Sequence, residues 1–272
     1  MNLSDESVAF AQSIAGVVDR VAPPELTAAL DEIGWSTVAQ DPALAACAGV
    51  AGVELGRRLA PLHHIDRLLG GSPMAGELVR SLQPERVALL REGGAVAHRS
   101  VPRAQQLPSP EGLDVHRVLK LGDVAHVSVD VWEASSRAWI AASVGYLAGL
   151  GQGALDLTVD YVRQRRAFGG TLAALGPVQQ LLADAATAVR GVVLLAESGP
   201  DADALAYAGP AVSQSCAACH QVTGAIGFTL EYSLHRFSQR ARAAATWNDA
   251  LLECTLAPEH RSERPAAPPA SR

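Results

Sequence analysis

The feature that most constrains the fold is a stretch without proline, from Glu133 to Phe168. Within it Ile140, Val144, Leu147, Leu150, Ala154, Leu157 and Tyr161 recur at steps of three and four residues, the period of a helix with one apolar face. This is one long amphipathic helix, or two end to end. Other helical segments are read around it, at residues 4–20 and 24–34, with Pro23 and Pro24 as the break and Gly34 as a terminator. A third follows Asp41-Pro42 and ends before Pro61, and further helices are expected from Pro177 to Ser198, from Ala202 to Val222 with Pro210 as a kink, and from Leu234 to about Leu256. With 49 % apolar but only 4 % aromatic residues, this pattern favours helix packed on helix, so a mostly α fold is expected.

Between Pro84 and Trp132 the pattern shortens to apolar stretches at Arg86–Leu90, Gly94–His98, Val115–Leu121 and Ala125–Val131, which read as a few short strands. The expected organisation is therefore an N-terminal helical domain (1–83), a small β region (84–132), a C-terminal four-helix domain (133–257) and a disordered, proline-rich tail (258–272).

Charge and motif content exclude several functions. The net charge of −6, with Lys120 the only lysine and no basic run, lacks the footprint that neutralises nucleic-acid phosphates, so nucleic acid is not expected as a partner. The N-terminus has no basic segment leading into an apolar one, and no uninterrupted apolar run is long enough to span a bilayer; a cytoplasmic chain without a membrane partner is the expectation. In that compartment Cys47, Cys216, Cys219 and Cys254 stay thiols. Cys216-Ala217-Ala218-Cys219-His220 spells the attachment motif of c-type haem, but it lies inside a helical pattern, and two small apolar thiols packed in a helix are the reading adopted. No metal site is assigned, either there or at His63-His64. Neither a Ser-His-Asp order nor a phosphate-binding P-loop is present.

Two blocks carry chemistry. Tyr161-Val162-Arg163-Gln164-Arg165-Arg166-Ala167-Phe168-Gly169, followed by Leu182-Ala183-Asp184, resembles the arginine-phenylalanine-glycine signature of acyl-CoA dehydrogenases. Gln221-Val222-Thr223-Gly224-Ala225-Ile226-Gly227-Phe228 resembles the same family's glutamine-glycine segment, with Ala225 where the family has the second glycine of a pair. The segments Leu30–Trp35 and Glu54–Pro61 are similar to the family's first helices, so the likeness covers residues 24–61 and 133–256. A diphosphate requires fixed positive charge and closely approached backbone N–H groups, which an arginine at a helix end and a glycine turn supply. By resemblance, Arg165, Phe168, Gln221 and Gly224 form the half of an FAD site that reaches across a subunit interface to a neighbour's cofactor.

The family's reaction also needs a carboxylate to take the α-proton of the acyl thioester. Its two places in the fold correspond to Trp139, 26 residues before Arg165, and to Asn248, 27 residues after Gln221. Neither side chain accepts a proton at neutral pH. Asp249 and Glu133 are the nearest carboxylates, each out of register, so no catalytic residue is assigned. The β region that covers flavin and acyl chain in the family is reduced as well. The resemblance thus implies the smaller chain of a two-chain, FAD-dependent acyl-CoA dehydrogenase, of the heterotetrameric kind associated with steroid breakdown, with the acyl-CoA held mainly by a larger partner. A homodimeric flavoprotein with altered chemistry and a scaffold without cofactor are the alternatives.

Overall fold

The proline-free run forms a single helix, α5 (Val129–Gln164), in the computed structural model of the chain. The structure describes residues 5–69, 78–79, 87–92, 95–100, 106–107, 116–118, 124–127 and 129–255; the expected tail lies outside them. α5 starts four residues earlier than its periodicity suggests and stops before Arg165, so the helix does not reach Phe168.

Among the described residues six further helices of ten residues or more surround it. α1 (Asp5–Arg20) buries Ser7, Ala11, Ile14 and Val17, a stripe at steps of three and four, and has Asp5 and Glu6 in its first turn where the helix dipole favours them. α2 (Pro23–Glu32) begins on two prolines, whose missing N–H groups a first turn does not need, and is followed by Gly34 at φ 88°. α3 (Ala45–Arg57) is followed by the one-turn α4 (His63–Asp66). α6 (Gly176–Glu197), α7 (Ala202–Thr223) and α8 (Leu234–Thr255) complete a four-helix bundle with α5, in which consecutive helices pack against each other and α7 also packs on α5. Asp201 caps α7 by accepting from the Ala204 N–H at 2.9 Å, and Pro210 lies within the helix without ending it. Among the described residues α6 is the one helix long and apolar enough to cross a membrane, with a mean hydropathy of 1.3; here it packs between α5 and α7.

Strands are present at each of the four stretches expected between residues 84 and 132, together with two short ones outside those stretches. β2 (Val87–Glu92), β3 (Ala95–Ser100) and β6 (Val124–Val127) form one antiparallel sheet, paired as Val87↔Ser100 and Val96↔Val127. β1 (Leu78–Val79), β5 (His116–Val118) and β4 (Gln106–Leu107) form a second. The stretch 129–131, read as strand, belongs to α5 instead.

One hydrophobic cluster runs through both helical regions, from Ile14, Leu30 and Trp35 to Trp139, Leu150, Val192, Val212 and Leu252. Its centre is the crossing of α3 with α5. A Cβ at Gly52 or Gly56 would collide with the backbone carbonyl of Ala142 or Tyr146, and one at Gly145 or Gly149 with that of Gly49 or Val53. The helix backbones therefore touch, which only glycine permits. Three buried aromatic donors tie the segment after α3 to the helices: Trp35 Nε1 to the His64 carbonyl (2.7 Å), Tyr146 Oη to the Ala60 carbonyl (2.6 Å) and Trp139 Nε1 to Asp66 Oδ1 (3.1 Å).

Replacing Gly149 by alanine must push the two backbones apart and should cost about 2–3 kcal/mol in urea unfolding of the chain. Gly191, in the middle of α6, has nothing within 4 Å of an added Cβ. Gly191→Ala should instead stabilise by roughly 0.5–1 kcal/mol through helix propensity.

Candidate functional site

Short connections make α5 to α8 alternate in direction, so the end of α5, the start of α6, the end of α7 and the start of α8 share one end of the bundle. Tyr232 fastens this end by donating its hydroxyl to the Leu157 carbonyl at 2.6 Å, with its ring 5.8 Å from that of Tyr161. All four residues singled out for an FAD contact lie here.

Arg165 closes the last turn of α5 by donating its N–H to the Tyr161 carbonyl (2.8 Å), and its own carbonyl accepts from Leu172 (2.9 Å). Between these bonds stands a tight hairpin, β7 (Arg166–Ala167) paired with β8 (Gly170–Thr171). Its two central residues, Phe168 and Gly169, have φ 53° and 82°, the backbone of a type I′ turn. Glycine adopts this without strain, whereas a phenylalanine does not. The strained residue is also 90 % exposed. The Arg165 side chain is exposed and has no hydrogen bond or ion pair among the described residues.

The second block closes α7. Gln221 is exposed in the last turn, and Gly224, with φ 64° and ψ −144°, takes a conformation reserved for glycine and leaves the space beside its Cα open. Gly227 is needed for a different reason, since a Cβ there would strike the Thr223 hydroxyl. Ala225 is exposed on the same turn, its methyl group outside the protein core. A free guanidinium, a free amide, an open glycine backbone and a bare phenyl ring form a donor set that fits the diphosphate and an attached ring of a dinucleotide.

The sequence reading missed the apolar continuation of this surface: Ile226, Phe228 and Leu230 are 40, 71 and 84 % exposed. The signal was available, because apolar residues in a glycine-rich turn lack the periodicity that would bury them on a helix face.

Neither position expected for a base carries one. Trp139 is buried and committed to Asp66, and Asn248 is buried in α8. Glu133 and Asp249 are exposed. The haem-like motif divides within α7. Cys216 and Cys219 face the bundle interior at 1 % and 0 % exposure, and burial, reinforced by the Cys219 neighbour, pushes the Cys216 thiol up to about 12. His220 lies against Ser238 and Phe228 instead. Of His63-His64, His64 is buried and the side chain of His63 lies outside the described residues.

Comparison with known proteins bears on the fold and the family. Residues 135–248 match the acyl-CoA dehydrogenase, C-terminal domain, family. The acyl-CoA dehydrogenase FadE28 of Mycobacterium tuberculosis is 33 % identical over 114 residues, covering 36 % of this chain and 32 % of that protein, so the match spans about a third of that relative's length. A chain of a variant of the Tcur3481–Tcur3483 steroid ACAD superposes with a TM-score of 0.66 at 16 % identity, over 93 % of this chain and 98 % of that one. A chain of the ChsE4–ChsE5 complex from Mycobacterium tuberculosis does so with a TM-score of 0.63 at 15 % identity, over 97 % and 99 %. At these identities the superpositions establish a shared fold.

The strain at Phe168 has a measurable consequence. Phe168→Gly removes an exposed side chain and a disfavoured φ, and should stabilise the isolated chain by about 0.5–1 kcal/mol in thermal unfolding. An unchanged or lower midpoint would mean that the ring is packed in solution.

Proposed function

We propose, for a chain whose residues 135–248 match the acyl-CoA dehydrogenase C-terminal domain family, that it is the base-less small subunit of a heteromeric, FAD-dependent acyl-CoA dehydrogenase. The observation that carries this reading is the contrast between the two sets of positions. Arg165, Phe168, Gln221 and Gly224 stand open at one end of the bundle, while Trp139 and Asn248 fill the base positions with buried groups that accept no proton. A chain with its cofactor contacts facing outwards and no base inwards serves a site completed by another subunit.

In this reading Arg165 clamps the diphosphate of the partner's FAD, with the Gly224 backbone approaching it and Gln221 donating from its amide. Phe168 presents its ring to the cofactor, held out by the hairpin. When bound, FAD supplies the two-electron acceptor for α,β-desaturation of an acyl-CoA. The larger partner supplies the glutamate that removes the α-proton and holds most of the acyl-CoA. Together Phe168, Ile226, Phe228 and Leu230 make an apolar surface that such a partner would cover and dry. The steroid ACAD among the structural relatives supports a steroid-derived acyl group.

Co-expression with a larger homologue should yield a yellow, active complex, and the chain purified alone should be nearly colourless. Stoichiometric flavin in the lone chain would favour a homodimeric flavoprotein; a colourless complex would favour a scaffold. In the complex, Arg165→Ala should lower FAD affinity by roughly 10- to 100-fold, the worth of a charged hydrogen-bonded contact. Asp249→Asn and Glu133→Gln should leave turnover unchanged. Loss of turnover in either, with FAD retained, would put the base on this chain.

A further inference from the structure

The turn that carries Gly224 rests on one side chain. His220, in the last turn of α7, is 9 % exposed and is held on three sides. Its Nε2 lies 2.8 Å from the Ser238 hydroxyl of α8. On the opposite edge Nδ1 faces Gly227, the buried residue of the 3-10 turn Gly224–Phe228, where an added Cβ would stand 3.2 Å from that nitrogen. The ring of Phe228 stacks on the imidazole face, with centroids 4.6 Å apart and an interplanar angle of 29°. Two of the five turn residues thus sit against a single imidazole, which Ser238 ties to α8.

The hydrogen bonds fix which nitrogen carries the proton. The Ser238 hydroxyl gives its one hydrogen to the His235 carbonyl at 3.1 Å, so it accepts from His220, and Nε2 is the protonated nitrogen. Nδ1 is then a bare lone pair, buried and without a hydrogen-bond partner among the described residues. A bare nitrogen demands no acceptor, which lets the Gly227 backbone close on it; a buried N–H would demand one. The groups that act on this imidazole are Arg242 and His235, which line with it a pocket of about 400 Å³ between α7 and α8 that has no carboxylate in its wall. The turn has no titratable side chain, and Cys219, beside His220 on α7, is a neutral thiol turned into the bundle. Burial first, then Arg242 and His235, holds the His220 pKa below the ordinary histidine value, although the Gly227 backbone favours the proton.

We infer that neutral His220 is the positioning residue of the Gly224–Phe228 turn: it sets how closely the turn backbone lies on α7, and through the turn it governs the hold on an FAD that it does not itself touch. The second half of this inference rests on the FAD reading above, and the first half holds for the chain by itself. A proton added to Nδ1 points at the Gly227 backbone, and either draws its carbonyl inwards or drives the ring out from under Phe228; both change the level of the turn. Because the unfolded chain binds this proton more readily than the folded one, the native turn is at full strength above the ordinary histidine value. It loses stability as the pH falls from there through the lower pKa that His220 has in the fold.

Nitrogen NMR of the full-length chain with labelled histidine and glycine reads the first half. At neutral pH His220 should show a protonated Nε2 and a bare Nδ1, and on acidification the Gly224 and Gly227 amides should shift together with its titration. In the assembled heteromer FAD affinity should fall roughly tenfold across the same pH range, the worth of about one pKa unit. His220→Gln keeps a donor for Ser238 and has nothing to titrate, so it should bind FAD with close to wild-type affinity at neutral pH and lose this dependence; His220→Ala should bind weakly at every pH. A ring protonated at Nδ1 at neutral pH, glycine amides indifferent to its titration, or an unchanged pH dependence of FAD binding in His220→Gln would overturn the inference. So would wild-type FAD affinity in His220→Ala, and if Arg165→Ala still weakens binding there, the FAD reading stands. A wild-type complex that holds no FAD refutes that reading instead, and with it the second half of the inference, while the histidine and glycine signals decide the first.

Discussion

Backbone contact between α3 and α5 is the constraint on which the rest depends. Four glycines, at positions 52, 56, 145 and 149, let two helices approach until a carbonyl of one fills the place of a side chain on the other. Such contact has little tolerance for sliding, because a shift along either axis brings a Cβ onto a carbonyl. It fixes α5 relative to the N-terminal helices, and α6, α7 and α8 are then built against α5. The polar ties at this junction are few and buried, from Trp35, Trp139 and Tyr146, and they anchor the irregular segment after α3. An Arg57–Asp156 ion pair spans the same crossing at 2.6 Å, but both side chains are about half exposed, so it adds little to what the glycines settle.

Most of the helical frame was legible because amphipathic periodicity over twenty or more residues has few competing readings. The errors lie where local residues do not announce a break. Arg163-Gln164-Arg165-Arg166-Ala167 contains only good helix formers, so nothing before Phe168 contradicts a helix, yet the chain leaves it at Gln164. The tight hairpin decides, since Gly169 and Gly170 favour a two-residue turn and its strand must begin at Arg166. At the other end, Val129–Val131 alternates too briefly to separate strand from helix, and α5 captures it. The candidate site was legible through the order and spacing of two motifs. Their meeting at one end of the bundle follows from topology, which no single motif contains.

The Cys-x-x-Cys-His run marks the limit of motif reading. In α7 the residues at 216 and 219 face inwards, and the one at 220 is rotated out of that face by about 100°. Two thiols become inert core and one imidazole reaches a pocket. Spacing alone gives all three the same status; the helix gives them opposite fates. Arg242 and His235 were visible in sequence too, but two residues seven apart on a polar face are ordinary on any surface helix, and only the facing wall of α7 turns them into a cluster.

Local rules are broken at one end of the molecule. Phe168 holds a left-handed backbone while almost wholly exposed, and Phe228 and Leu230 lie largely in solvent, whereas Trp35, Trp139 and Tyr146 are fully buried with their polar atoms paired. A sequence selected only for its own stability would put glycine at 168 and polar residues at 228 and 230. That these conflicts sit beside an unpaired Arg165 and an open Gly224, and not at the α3–α5 crossing, separates a surface shaped by what covers it from a core shaped by packing. The strain there is tolerable because the bundle beneath is held elsewhere: no residue of the exposed end contributes to the glycine contact, so a covering molecule can come and go without loosening α5 from α3.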